Sequence, residues 1–163
     1  MFIRRAVLKD IPKIDELLHQ VNDIHASIRP DLFIKGEKKY TDNELSGIIR
    51  SDLTPVFVCF ADENADDLLG YCFSVYEAKS GHSQAPVRTL YLDDICVDEG
   101  ARGKGVGREI YSFVRDYAKR HNVYNITLNV WENNDSAKSF YEAMGLHVLK
   151  YGMEDIISDG KNL

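Results

Sequence analysis

Cysteine is scarce. There are three in 163 residues, Cys59, Cys72 and Cys96, odd in number, without CxxC spacing and each inside an apolar run. That argues against a disulfide framework, and they read as reduced core thiols of a cytosolic protein. Apolar stretches such as Leu68 to Tyr76 are far too short for a membrane span, which takes about 20 apolar residues. Met1-Phe2-Ile3-Arg4-Arg5 has no apolar core behind it, so no secretion signal is expected, and the expected location is the cytoplasm. The five histidines (His19, His25, His82, His121, His147) lack ligand spacing, so no metal is expected. No GxSxG elbow supports a hydrolase. Positive charge is in deficit: 20 Lys+Arg against 26 Asp+Glu leave a formal charge of −6. Such a chain is a poor general nucleic-acid binder.

What is present is the composition of a globular protein, 44% hydrophobic and 28% charged. No repeat or linker divides the chain, so residues 1–163 read as one domain able to bury roughly 70% of its unfolded surface. Phe2 to Val7 forms a short strand. Asp10 is the N-cap of a helix with Pro12 in its first turn and Ile11, Ile14, Leu17, Leu18 and Val21 inward. Ser27 to Tyr40 reads as a loop. Thr41-Asp42-Asn43-Glu44 has capping-box spacing ahead of a short helix. Val56 to Ala61 and Leu69 to Tyr76 are expected to form a strand hairpin, with Glu77 to Thr89 a polar loop. Leu90 to Val97 is another strand and Gly103 to His121 a long amphipathic helix. Strand Ile126 to Trp131, helix Ser136 to Met144 and strand Leu146 to Tyr151 follow, with one more strand toward Ile157. This order is mixed α/β, and Leu90 to Trp131 should hold a parallel strand pair with a right-handed crossover.

The stretch Arg102-Gly103-Lys104-Gly105-Val106-Gly107-Arg108 lies between a strand and a helix. Alternate glycines clear side chains from amides at a helix N-terminus, a setting that favours phosphate. Arg102, Lys104 and Arg108 add local positive charge; the plainer reading is a glycine-rich turn with solvated cations. A dinucleotide fingerprint fails, because Arg108 or Ile110 stands where it needs glycine. A P-loop fails because Lys104 precedes Gly105.

The segment does match Arg/Gln-x-x-Gly-x-Gly/Ala, and here the sequence resembles the GCN5-related N-acetyltransferase (GNAT) superfamily. Tyr91 to Val97 is similar to that family's fourth strand. Asn134-Asp135-Ser136-Ala137-Lys138-Ser139-Phe140-Tyr141-Glu142-Ala143-Met144-Gly145-Leu146 is similar to its Asn-x-x-Ala-x-x-Phe/Leu-Tyr-x-x-x-Gly-Phe signature, with Leu146 for the final Phe. Ile3-Arg4-Arg5-Ala6 and Asp10 resemble its usual start. The resemblance implies an acyl-CoA N-acyltransferase fold, a central mixed β-sheet flanked by helices with a splayed parallel strand pair.

It also implies direct transfer of acetyl from acetyl-CoA to a primary amine. Residues 102–108 would bind the diphosphate and Asn134 the pantetheine arm, or act merely as a helix N-cap. A backbone N–H among Ile95, Cys96 and Val97 would meet the oxyanion. Tyr141 occupies the position of the acid that protonates the leaving thiolate. Having a lysine-like amine of pKa ~10.4 neutral at pH 7 costs about 4.6 kcal/mol, so a carboxylate that attracts and deprotonates it is valuable. Asp93 and Asp94 are the candidates. Alternation puts them on opposite faces, but a bulge in the family's strand leaves the choice open; solvation or Arg pairing is their plainer role. Cys96, mid-strand, reads as inert.

The Tyr-Leu-Asp-Asp-x-x-Val strand is similar to that of polyamine and other small-amine acetyltransferases, and the negative charge suits a cationic acceptor. A protein N-terminus or lysine is the alternative acceptor, and a non-catalytic acyl-CoA-binding module the alternative of another class. The loops Ser27 to Tyr40 and Glu77 to Thr89 should line the acceptor site, with Pro30 and Phe33 as candidates. Oligomeric state is open; relatives often dimerise through late strands, so a homodimer is the assembly to test.

Overall fold

A computed structural model of the protein describes residues 1–158, except the side chains of residues 79, 80 and 84. Its sheet has five strands in sequential order, β1 (Phe2–Arg5), β2 (Val56–Phe60), β3 (Leu68–Gly81), β4 (Gln84–Val97) and β5 (Asn125–Leu128). The first four pair antiparallel, and β4 and β5 pair parallel. Helices α1 (Ile11–Ile28) and α2 (Asp42–Arg50) precede β2; α3 (Val106–Arg120) joins β4 to β5, and α4 (Asp135–Ala143) follows. None of the described helices is long and apolar enough to cross a membrane.

The sheet is covered on both faces, which explains why β2 is buried at every position. Val56, Val58, Phe60, Tyr71 and Phe73 meet Ile14, Leu17 and Leu18 of α1 and Leu45 of α2. Phe57, Cys59, Cys72, Leu90 and Leu92 meet Val106, Ile110 and Val114 of α3 on the other side. Where β3 crosses β4, Gly70 is required: an added Cβ would lie 2.6 Å from the Cys96 carbonyl oxygen and 2.9 Å from Ile110 Cδ1.

The start motif has a physical cause. Arg4 grips buried Asp10 through two hydrogen bonds of 2.7 and 2.9 Å, and Asp10 also accepts from the Val7 amide at 2.8 Å. Burial pushes the Asp10 carboxyl up, but Arg4 and the Val7 amide more than offset this and hold it below the usual carboxylate range. Asp10 closes a short 3-10 turn, Leu8–Asp10, ahead of α1, and its side chain does not cap that helix as expected. The capping box at Thr41 and Glu44 is present at the start of α2.

Three boundaries differ from expectation. Glu77 to Thr89 is not a loop: β3 and β4 form one long hairpin, with Glu77 opposite Thr89 and Ala78 opposite Arg88. Its polarity reflects a ribbon that runs past the covering helices, where main-chain bonds and the Arg88 guanidinium over the Tyr76 ring (4.2 Å) hold it. The long helix begins at Val106 rather than Gly103, because Gly103 and Gly105 adopt left-handed backbone, φ +75° and +83°. No strand follows β5 among the described residues. The stretch read as strand Leu146 to Tyr151, and the continuation toward Ile157, makes no ladder with β5 and is irregular.

Replacing Arg4 by Met should cost about 2–4 kcal/mol in urea unfolding, because it strands a buried carboxylate. Asp10, with its pKa depressed in the fold, contributes stability above the unfolded value near 3.9 that is lost as pH falls below it. The gap between wild type and Asp10→Asn should therefore narrow toward acid pH.

Candidate active site

The site is organised by one irregularity in β4. Asp94 lies opposite Phe73 and Leu92 opposite Ser74, so Asp93 is an extra residue with no partner on β3. Before this bulge Leu90 and Leu92 face α3; after it Cys96 faces α1, with Ile95 and Val97 toward α3. The bulge reverses side-chain parity and brings Asp93 and Asp94 to the same face, that of α1 and α2. Neither simple alternation nor a choice of one carboxylate describes the result.

The β4–β5 ladder ends at the same place. Its last pair is Leu92 with Leu128, and from Asp93 onward β4 has β3 alone as its neighbour. From Asp93 to Val97, a stretch that includes the candidates for oxyanion contact Ile95, Cys96 and Val97, β4 therefore has no strand partner on the β5 side.

Phenols surround the carboxylates. Tyr71 donates to Asp94 Oδ2 at 2.8 Å, and Tyr40 donates to Asp93 Oδ2 at 2.5 Å. The Tyr40 ring stacks on Phe73, which meets Tyr71 edge-on at 5.0 Å. Lys39 pairs with the same Asp93 oxygen at 2.7 Å. Burial pushes the Asp94 carboxyl up to about 6; the Tyr71 hydrogen bond and the Lys39 charge oppose the rise, and the Asp93 charge adds to it. Burial also raises Tyr141, with contributions from Cys72, Asp94 and Tyr111, so it stays a protonated phenol. Its hydroxyl has no hydrogen-bond partner among the described residues, a state fitting a donor that awaits one.

Behind β4 the loop is tightly held. The Asp98 amide donates to the Leu69 carbonyl at 2.9 Å, and the Asp98 side chain caps Gly100 at 2.9 Å and accepts from Gln20 at 3.0 Å. Arg102 Nε donates to the Val97 carbonyl at 3.2 Å, and Lys104 Nζ to that of Gly100 at 2.8 Å. At α3 the cap is Gly105, with no side chain to accept from the first turn. The first α3 bond runs from Glu109 N–H to the Gly105 carbonyl, leaving the amides of Val106, Gly107 and Arg108 without an internal acceptor. These residues fit a diphosphate: uncapped amides, left-handed glycines and exposed Arg102, Lys104 and Arg108 at one helix N-terminus. Gly107 serves packing. A Cβ there would lie 3.4 Å from the Phe140 ring and 3.6 Å from Val97 Cγ2.

Asn134 caps α4, its side chain accepting from the Ala137 amide at 3.2 Å. Only its NH₂ end is left for a ligand. The three thiols are buried. Burial pushes Cys59 up to about 11 and Cys96 up to about 12, and Cys72 rises as well. Cys96 donates to the Leu17 carbonyl at 3.5 Å and offers no nucleophile. Among the described residues no group of His, Cys, Asp and Glu could hold a metal.

Sequence reasoning missed Lys39, Tyr40, Tyr71, His25 and Trp131. Phe33 packs on His25 at 5.1 Å and edge-on against Trp131 at 5.6 Å, while the Arg29 guanidinium lies 5.4 Å from the Trp131 ring. Pro30 is exposed and outside this cluster. Tyr71 sits two residues from Phe73 on an apolar strand and reads as core; nothing local marks it. The Lys39-Tyr40 pair closes a segment without periodicity, so its approach to Asp93 is purely tertiary.

The sequence profile of the Acetyltransferase (GNAT) family matches residues 18–146. The chain belongs to that family, and by class it is an N-acetyltransferase. It is similar to the tetramutant of the BH1408 protein from Bacillus halodurans, at 30% identity over 96% of this chain and 100% of that one, TM-score 0.90. More distant likeness, in fold alone, extends to aminoglycoside N-acetyltransferase AAC(6')-Iy in complex with CoA, at 14% identity over 96% and 99% of the two chains, TM-score 0.69. An aminoglycoside acetyltransferase from an uncultured soil metagenomic sample is similar at 15% identity over 96% and 95%, TM-score 0.69. No curated protein matches in sequence.

A raised Asp94 works against folding when ionised. Its contribution is most favourable below the unfolded value near 3.9 and is lost as pH rises through about 6. A shift of roughly two units corresponds to about 3 kcal/mol at neutral pH. Asp94→Asn should therefore melt higher than wild type at neutral pH, the difference closing near pH 4 by calorimetry. Ellman's reagent should find none of the three thiols until the protein unfolds.

Proposed function

We propose that the protein transfers acetyl directly from acetyl-CoA to a primary amine, with Asp94 as base and Tyr141 as acid. The observation that carries this is the bulge at Asp93, which sets a raised carboxyl beside the opening between β4 and β5. Acetyl-CoA, when bound, supplies the activated thioester. The amides of residues 106–108, with Arg102, Lys104 and Arg108, hold its diphosphate, and Gly103 and Gly105 let the main chain approach. The NH₂ end of Asn134 is available to the pantetheine arm. A main-chain N–H from Ile95 to Val97 faces the developing oxyanion.

Asp94, near pKa 6, is ionised through most of the neutral range, and it takes a proton from the ammonium directly or through water. Tyr141 is a weaker acid than a free phenol. Full transfer to a thiolate of pKa ~8.5 is therefore uphill, and its main contribution is a hydrogen bond to sulfur as charge develops. Asp93 attracts the ammonium, aided by the overall charge of −6.

A small cationic amine is the leading acceptor. A lysine side chain is the second reading, supported by one observation: a lysine ammonium, that of Lys39, already rests on Asp93. The tail supports a homodimer, the second copy being the occupant of the open β5 edge. Val148, Leu149, Tyr151, Met153, Ile156 and Ile157 are all exposed, and α4 beside them has no buried residue. Deletion of residues 147–163 should shift the solution mass, measured by light scattering, from dimer to monomer.

Titration calorimetry with coenzyme A should show one site per chain, weakened by Gly105→Val, whose side chain is strained at positive φ. In a thiol-release screen of polyamines, aminoglycosides, amino acids and peptides, kcat/KM should fall on the acid side with an apparent pKa near 6. Asp94→Asn should lose about 10²-fold or more and this acid limb with it. Tyr141→Phe should lower kcat with little change in coenzyme A affinity. Undiminished turnover in that variant removes the phenol from the acid role.

A further inference from the structure

We propose that Lys39 is a site of self-acetylation, and that its modification frees Asp93 for external amines. The inference rests on the function proposed above and goes beyond it by assigning the first acceptor to the chain itself.

Three features place Lys39 there. Its Nζ lies 2.7 Å from Asp93 Oδ2, the atom that also accepts from Tyr40 at 2.5 Å, so an ammonium occupies the carboxylate expected to receive one. Its positive charge is felt by Asp94, and Asp94 in turn by Tyr141. The amine therefore rests on Asp93, the chain neighbour of the proposed base. Lys39 is also free to act: its side chain is 43% exposed, and it stands in an irregular segment between α1 and α2. The segment is fixed next door by Tyr40 stacked on Phe73, which keeps the four-carbon stem over the carboxylates. The preceding lysine is different, since Lys38 is clamped between Asp15 and Asp42, each at 2.6 Å, and is committed elsewhere.

The step balances without a further reagent. Asp94 takes one proton from the Lys39 ammonium, and the neutral Nζ forms a bond to the thioester carbonyl carbon. The C–S bond breaks as the addition intermediate collapses, and a second ammonium proton reaches the departing sulfur by way of Tyr141. The third stays on the amide nitrogen. The products are Nε-acetyl-Lys39, free coenzyme A thiol and one proton released from Asp94 to solvent. Acetylation removes the positive charge, so Asp93 loses its internal partner and becomes available to a cationic acceptor.

The purified full chain, incubated with acetyl-CoA alone, should gain the mass of one acetyl group. Peptide mapping should place it on Lys39 and not on Lys38. At saturating acetyl-CoA the first-order rate constant should be independent of protein concentration, as an intramolecular event requires, and should fall at least about tenfold in Asp94→Asn, which separates catalysis from spontaneous acetylation. Lys39→Gln, which mimics the neutral product, should lower KM for a diamine relative to unmodified wild type. Release of thiol with external amines while Lys39 stays unmodified overturns self-acetylation and leaves the proposed function standing. Equal labelling of Lys39 in wild type and Asp94→Asn overturns it too. Absence of coenzyme A binding by calorimetry overturns both.

Discussion

The site depends on a one-residue slip. Asp93 has no partner across β3, and this extra residue does three things at once. It turns Asp94 toward the face that already holds Asp93. It coincides with the last parallel pair, Leu92 with Leu128, beyond which the two chains part. It leaves residues 94–97 laddered to β3 alone, with no β5 partner on their other side. A regular strand would bury one carboxylate against α3 and seal the gap with hydrogen bonds. Two neighbouring anions on one face are unfavourable, and the surrounding phenols and Lys39 offset that cost with donors aimed at both.

The chemistry follows from how unevenly these groups share the local field. Asp93 has an ammonium and a phenol on one oxygen. Asp94 has a single phenol and is pushed up to about 6. Neighbouring carboxyls with different surroundings hold their protons differently, and in the function proposed above one attracts positive charge while the other exchanges a proton. At the start of α3 the signs are reversed. Uncapped amides and three exposed cations concentrate positive charge there, in a chain of net negative charge.

Much of this was legible in the sequence, for identifiable reasons. Helices α1, α2 and α3 were visible because their apolar stripes and the Thr41 box are local. The glycine-rich turn ahead of α3 was visible because left-handed turns leave glycines in the sequence. The ribbon at Glu77 to Thr89 was hidden because its described positions from Ala78 to Arg88 are exposed apart from half-buried Val87, which erases the alternation a half-buried strand shows. The tail misled in the opposite direction: Val148, Leu149 and Tyr151 have strand composition but no neighbour to pair with. Asp93 and Asp94 were named, yet their common face was not, since a bulge has no residue signature at this site. Lys39, Tyr40 and Tyr71 reach the carboxylates across 54, 53 and 23 positions of chain, contacts that no window on the sequence can contain.

The bare backbone at Gly107 has a mechanical consequence. Phe140 rests within van der Waals contact of that position, and Tyr141 is the next residue along α4. The first turn of α3 therefore packs directly against the helix that carries Tyr141. Bulk added at position 107 would press on the Phe140 ring and be passed to the neighbouring phenol, so a residue with no side chain of its own helps to set where another side chain lies.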